Sequence, residues 1–314
     1  MNCQYMRVSI ILVFCLQVFL TCKNGVVNPS NVLVESSFGL PQDKGELENR
    51  NLLEASGIVD SRKYPGYYWS HNDSGNPNKL YLIDSTAKGT QELEIKGAAN
   101  RDWEDIGLFV ENNGSSTLFI GDFGDNNSAW PFCSIYWITE PDIKSLTTTS
   151  SVNSSYITFT LPDGARDIEC MLVDQKTKDI YLISKRDSKK RLYRIPASKL
   201  ISSARVIAEY LEELPISIPQ SADNTIMRAA YITSGSISPD NTEILVKSYT
   251  SIFYWRIKVG ESIAQALLRP AKSIEYPVEP QGEAIGFKAS GNGFVTLSES
   301  QNGVMAHLFE YLKK

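Results

Sequence analysis

The sequence repeats itself, and that self-similarity constrains the fold more than any other feature. One stretch runs Asn100-Arg-Asp-Trp-Glu-Asp-Ile, then LFV, TLFIGDFGDN and SIYWITE. Another runs Ala165-Arg-Asp-Ile-Glu-Cys-Met, then LVD, DIYLISKRD and RLYRIP. The shared skeleton is Arg-Asp-x-Glu-x-apolar, a short apolar strand, a turn, a second apolar strand ending in polar residues, and a third strand carrying an aromatic. Looser copies occupy residues 53–84, 232–257 and 280–311. Anchored on Ile58, Ile106, Met171, Ile237 and Ile285, the units are spaced 48, 65, 66 and 48 residues apart. A fourth strand follows most units, at 91–97 (QELEIKG), 154–161 (SSYITFTL), 205–211 (RVIAEYL) and 272–277 (KSIEYP).

Four antiparallel strands every 40–50 residues or so are the pattern of a β-propeller blade. The predicted fold is therefore all-β, a propeller of five four-stranded blades. A sixth would need a hidden blade in 201–232, and the longer spacings are equally well filled by loops. The last unit ends without a fourth strand, so an N-terminal strand such as Asn31–Ser36 is expected to close the ring.

Composition agrees with an ordinary folded domain. Hydrophobic residues make up 42% of the 314-residue chain, and 31 Lys plus Arg stand against 36 Asp plus Glu. A net charge of −5 argues against nucleic-acid binding, because too few phosphates would be neutralised. Two histidines leave little room for a His-rich metal site or a histidine-centred triad. Any chemistry would rest on carboxylates.

Residues 1–22 (MNCQYMRVSIILVFCLQVFLTC) read as a secretory signal, with Arg7 before an apolar core from Val8 to Leu20. That core is short for a membrane span, and no later stretch is long enough. The mature chain, 23–314, is expected to be a single propeller domain, exported, monomeric and without a membrane span. Leu20-Thr21-Cys22 also bears a weak likeness to a lipoprotein processing site, which would make Cys22 a lipid anchor. Cys133 and Cys170 either pair in an oxidising compartment or sit apart as buried thiols. Asn72, Asn113, Asn126 and Asn153 each begin an Asn-x-Ser sequon, relevant only in a glycosylating pathway.

Antiparallel pairing puts the start of strand one and the end of strand two on the same face of every blade. Strand one then brings Glu104, Glu169 and Glu283 towards the axis, with Ser56 and either Ser234 or Ser236 filling the other places. Three converging carboxylates repel one another unless a cation lies between them, and oxygen ligands suit Ca²⁺. Alternatively each Glu caps backbone amides of its neighbour. Arg101, Asp102, Arg166 and Asp167 form the surrounding shell, with the two arginines as ion-pair partners.

The ends of strand two add His71, Asn72, Asp73, Asp122, Asn126, Lys185, Arg186, Lys247 and Glu299. Carboxylates facing bases suit a small polar or phosphorylated ligand, although each residue read singly fits a solvated loop tip. Candidates for a catalytic base are Asp73, Asp122 and Asp125.

The residues SGI…HNDSGN, NRDWEDI…IGDFGDNN, DGARDIECMLVD, ISPDN and QGEAI, taken in order over residues 51–311, resemble a family of exported bacterial β-propeller proteins of no established biochemical function. The axial order Ser, Glu, Glu, Ser, Glu is also similar to the five-bladed calcium-activated nucleotidases (apyrases). That likeness implies Ca²⁺ surrounded by Ser56, Glu104, Glu169, Ser234 or Ser236, and Glu283. The chain departs from the apyrases at the fourth position and carries no matching nucleotide-binding motif. Phytase-like propellers share the acidic theme more loosely. Two functions follow as expectations: a ligand-binding propeller with a calcium site, or a Ca²⁺-dependent hydrolase of phosphate esters or nucleotides. A sugar or lactone hydrolase is a third.

Overall fold

The computed structural model describes residues 34–35, 37–147, 149–217 and 223–314. The expected signal segment 1–22, with Cys22, and most of the expected closing strand 31–36 lie outside them. The described residues form one compact unit.

Five sheets each run from an inner strand outward. The first blade holds Ala55–Asp60, Tyr67–Asn72, Lys79–Asp84 and Gln91–Lys96. The second holds Trp103–Val110, Ser116–Asp122, Cys133–Thr139 and Ser155–Thr160. The third holds Ile168–Val173, Ile180–Ser184, Lys189–Ile195 and Glu209–Ser217. The fourth holds Ile232–Ile237, Glu243–Ser248, Ile252–Arg256 and Lys272–Ile274. The fifth holds Gly282–Phe287, Gly293–Ser298, His307–Leu312 and, from the other end of the chain, Gln42–Glu46. The fold is a five-bladed β-propeller, and among the described residues the segment 201–232 holds no sixth blade. It carries two outer strands and a short helix, Asn224–Ala229.

The ring closes as expected from the N-terminal side, but with a different strand. Gln42–Glu46 pairs antiparallel with His307–Leu312, whereas Val34–Glu35 pairs parallel with Lys272–Ile274 on the fourth blade. A common rule explains the displacement. Ser150–Asn153 precedes the second blade's fourth strand and adds in parallel to the first blade. Ala204–Ile207 precedes the third blade's fourth strand and adds in parallel to the second. Val34–Glu35 stands in the same relation to the fifth blade. In these three places the chain grips the preceding blade's outer edge before completing its own, which covers edges otherwise open to pairing. The predicted strand 205–211 thus divides, one half going to each of two blades.

The inner strands are buried almost throughout, as expected for strands covered on both faces. Blade packs on blade through interdigitated apolar faces. Val59, Trp69 and Leu82 of the first blade meet Ile106, Leu118 and Tyr136 of the second. Cys133 and Cys170 are free buried thiols lying in separate clusters. Among the described residues no helix is long and apolar enough to cross a membrane.

Candidate functional site

Each inner strand slips by one residue against its neighbour near its start. The slips fall between Ala55 and Gly57, Trp103 and Asp105, Ile168 and Cys170, Ile232 and Ser234, and Gly282 and Ala284. A β-bulge leaves one residue unpaired and re-aims its side chain. The skipped residues are Ser56, Glu104, Glu169, Thr233 and Glu283, all of them buried. The repeat motif is therefore a repeated bulge. Its register corrects the expected fourth position, which is Thr233 rather than Ser234 or Ser236, and moves that unit's anchor from Ile237 to Gly235.

Four of the five bulge residues meet an acidic cluster. Ser56 Oγ donates to the Glu104 carbonyl at 2.9 Å and lies 3.4 Å from Glu104 Oε2 and 3.5 Å from Glu283 Oε2. Carboxylate oxygens of Asp73, Asp102 and Glu104 all lie within 4.8 Å of one another. The same holds for Asp73, Glu283 and Glu299, and for Glu104, Asp167 and Glu169. Glu104 and Asp73 each belong to two of these triplets, so the groups form one continuous array. Gly124 packs against it, and a Cβ there would come within 2.6 Å of the Asp102 carboxyl carbon.

Two basic side chains reach the array. Lys185 ion-pairs with Glu169 and donates to Tyr249 Oη at 3.3 Å, and Tyr249 donates to Glu283 at 2.6 Å. Arg186 Nε lies 2.8 Å from Asp167. Seven carboxylates against two bases leave a strong negative excess. Burial, reinforced by Glu169 and Asp73, holds the Glu104 carboxyl well above the usual range. Burial does the same to Glu169, with Asp167 and Glu283 adding to it and Lys185 opposing. Asp73 is pushed up to about 7 and Glu299 to about 8, chiefly by burial and then by Glu283. Burial and Asp167 also raise Asp102. A cation among these oxygens would reverse each of these shifts.

The remaining predicted residues are placed elsewhere. His71 is buried against Trp103, edge to face at 5.8 Å, and burial lowers its imidazole to about 4. Asn72 donates to the Asn51 carbonyl and accepts from Glu54 N–H, fixing the approach to strand one. It is 1% exposed, so its sequon is sterically closed, whereas Asn113, Asn126 and Asn153 are exposed. Asp122 accepts from Arg101 and Asp102 N–H, and Asp125 from Ala129 and Trp130 N–H, so both organise turns. Asn126 accepts from Arg186 at the rim. Lys247 is wholly buried and donates to the Gly282 carbonyl between the fourth and fifth blades. Arg101 stacks on Trp130, and Arg166 pairs with Asp163 and Asp187, so their partners are not the axial glutamates. Ser236 accepts from Phe287 N–H, further along the axis.

One axial residue escapes the sequence reading. Asp105, next to the bulge at Glu104, accepts from Met171 N–H at 2.8 Å, Ile106 N–H at 3.0 Å, Ser234 Oγ at 3.0 Å and Gly235 N–H at 3.2 Å. It ties the third and fourth blades to the second below the acidic array. The available signal was an Asp inside the apolar run WEDIGLFV.

No protein-family model matches the chain, and no curated protein matches it either. Among solved structures, a luciferin-regenerating enzyme is 9% identical over 87% of this chain and 95% of its own, with a TM-score of 0.44. The WD40 domain of Neurospora crassa Pan2 is 8% identical over 90% of this chain and 97% of its own, with a TM-score of 0.45.

Proposed function

We propose that this chain is an exported propeller that holds Ca²⁺ in its axial carboxylate array and takes a small polar or anionic ligand beside it. The supporting observation is the convergence of Glu104, Asp167 and Glu169 with Asp73, Asp102, Glu283 and Glu299, an all-oxygen donor set whose negative charge exceeds its basic partners. Hard oxygen donors without nitrogen or sulfur suit Ca²⁺ over Zn²⁺. Lys185 and Arg186 stand where a phosphate or carboxylate of the ligand would meet positive charge. Thermal melting of the wild type, Glu104→Gln and Glu169→Gln with Ca²⁺ and with chelator tests the reading. Calcium should raise the wild-type midpoint and leave both variants nearly unmoved. An unchanged wild-type midpoint overturns it.

A second reading, a Ca²⁺-dependent phosphoester or nucleotide hydrolase, is favoured by Asp73. Its carboxylate belongs to two of the triplets, which puts an acceptor for a proton beside the proposed ion. Bound calcium would supply charge stabilisation at a phosphoryl oxygen. A panel of nucleoside di- and triphosphates and phosphate esters, assayed with calcium, decides it. Absence of turnover across the panel removes the hydrolase.

A further inference from the structure

A cavity of about 380 Å³ opens beside the axial array on the fifth blade. Its walls are mainly apolar, built from Pro280, Val304, Met305, Ala306 and Phe309, and its lining also includes Glu279 and Glu299. Glu279 is engaged by Thr296 and Tyr276. Glu299 is the wall shared with the array, since its carboxylate oxygen lies within 4.8 Å of those of Asp73 and Glu283. The volume falls in the range of small-molecule pockets. The cavity's other ionisable side chain, His307, is already held by Asp43 at 2.9 Å.

A bare metal ion would answer the carboxylates and leave an apolar cavity with nothing to contact. An organic cation answers both, because its charge meets the acids while its carbon body lies on the apolar wall. We propose that this cavity binds a primary ammonium amphiphile, with the ammonium at Glu299, whose carboxylate neighbours those of Asp73 and Glu283, and a short hydrocarbon body against Pro280, Val304 and Met305. The charge complementarity is direct and needs no bridging metal. The proposal therefore needs no bound calcium, and Ca²⁺ should compete with the ammonium through Glu299, which both sites share.

The test is calorimetric titration of the full chain in chelator at about pH 9, where Glu299 and Asp73 are ionised and an alkylammonium keeps its proton, with n-butyl-, n-hexyl- and n-octylammonium against hexanol and hexanoate as controls. Hexylammonium should bind at least about tenfold more tightly than either control, as expected when an ammonium meets desolvated carboxylates. Each added methylene should strengthen binding roughly three- to fourfold while the cavity still fills. Glu299→Gln should abolish the preference for ammonium over hexanol and keep the chain-length trend. Val304→Asp, at a position 65% exposed and therefore tolerant of change, should weaken the trend and keep the preference. Equal binding of hexylammonium and hexanol by the wild type, or an undiminished ammonium preference in Glu299→Gln, overturns the proposal. Because calcium is absent throughout, failure here leaves the calcium reading standing, and the melting experiment decides that one separately.

Discussion

Asp105 Oδ1 on the second blade accepts a hydrogen bond from Ser234 Oγ on the fourth at 3.0 Å, across the axis of the ring. Its other oxygen takes the N–H groups of Met171 and Gly235. Removing the side chain strands two buried N–H groups and a hydroxyl at once. Asp105→Ala should therefore cost about 3–5 kcal/mol. Urea denaturation reads this as a lowered midpoint at unchanged slope, and a loss below about 1 kcal/mol would show that the staple is redundant.

Lys185 is a tethered cation inside the carboxylate array, paired with Glu169. Lys185→Met should weaken the metal-free protein, because it leaves Glu169 buried without its counter-charge. The same change should tighten calcium binding by at least about tenfold, since one positive charge no longer opposes the incoming ion. Unchanged or weaker calcium binding in the variant would place the ion away from Lys185.

Gly124 lies against Asp102 and Glu104 with no space for a Cβ. Gly124→Ala should displace those carboxylates more than it disturbs the fold. We expect calcium affinity to fall by about tenfold or more while the melting midpoint in chelator moves by only a few degrees. A variant that binds calcium normally would exclude Asp102 and Glu104 from the ligand set.

Lys190 is wholly buried, and burial lowers its ammonium to about 7. The unfolded chain keeps that proton up to the ordinary lysine range, so between about pH 7 and 10 the unfolded state binds more protons than the folded one. This group therefore makes stability rise with pH through that window, by up to about 1.4 kcal/mol per unit. The stability difference between wild type and Lys190→Met should shift in favour of the wild type from pH 7 to 9. A difference independent of pH would mean that Lys190 stays charged in the folded protein.

Ring closure separates two N-terminal strands by their importance. A chain beginning at Ser37 loses Val34–Glu35 and the Glu35–Lys272 ion pair, both at the periphery, and should lose about 1 kcal/mol or less. A chain beginning at Leu52 also loses Gln42–Glu46 with buried Phe38 and Leu47, two side chains worth about 1.5–3 kcal/mol each. It should no longer melt cooperatively, as differential scanning calorimetry would show. Equal stability of the two truncations would contradict the closure observed here.

The five blades were legible because each inner strand is an apolar run with a polar start, and that rhythm survives in the sequence. The closing strand was not. Asn31–Ser36 alternates like a strand, whereas QDKGE at 42–46 carries no apolar signal because an outermost strand stays partly exposed. Ser56, Glu104, Glu169 and Glu283 were legible from repetition. Thr233 was missed because ITSGSI offers four hydroxyl-bearing or small residues in a row, and only the bulge register selects one. Lys247 and His71 were grouped with the site because they end second strands, but in the structure both side chains are buried within blade packing, one at the fourth–fifth blade contact and one against Trp103.

Calorimetric titration of Ca²⁺ into the wild type and Glu104→Gln tests the central claim most directly, because Glu104 belongs to two of the three triplets. The account predicts saturable binding to the wild type with a submillimolar Kd, weakened at least about tenfold by the substitution. No saturable heat in the wild type, or equal binding by Glu104→Gln, would contradict it.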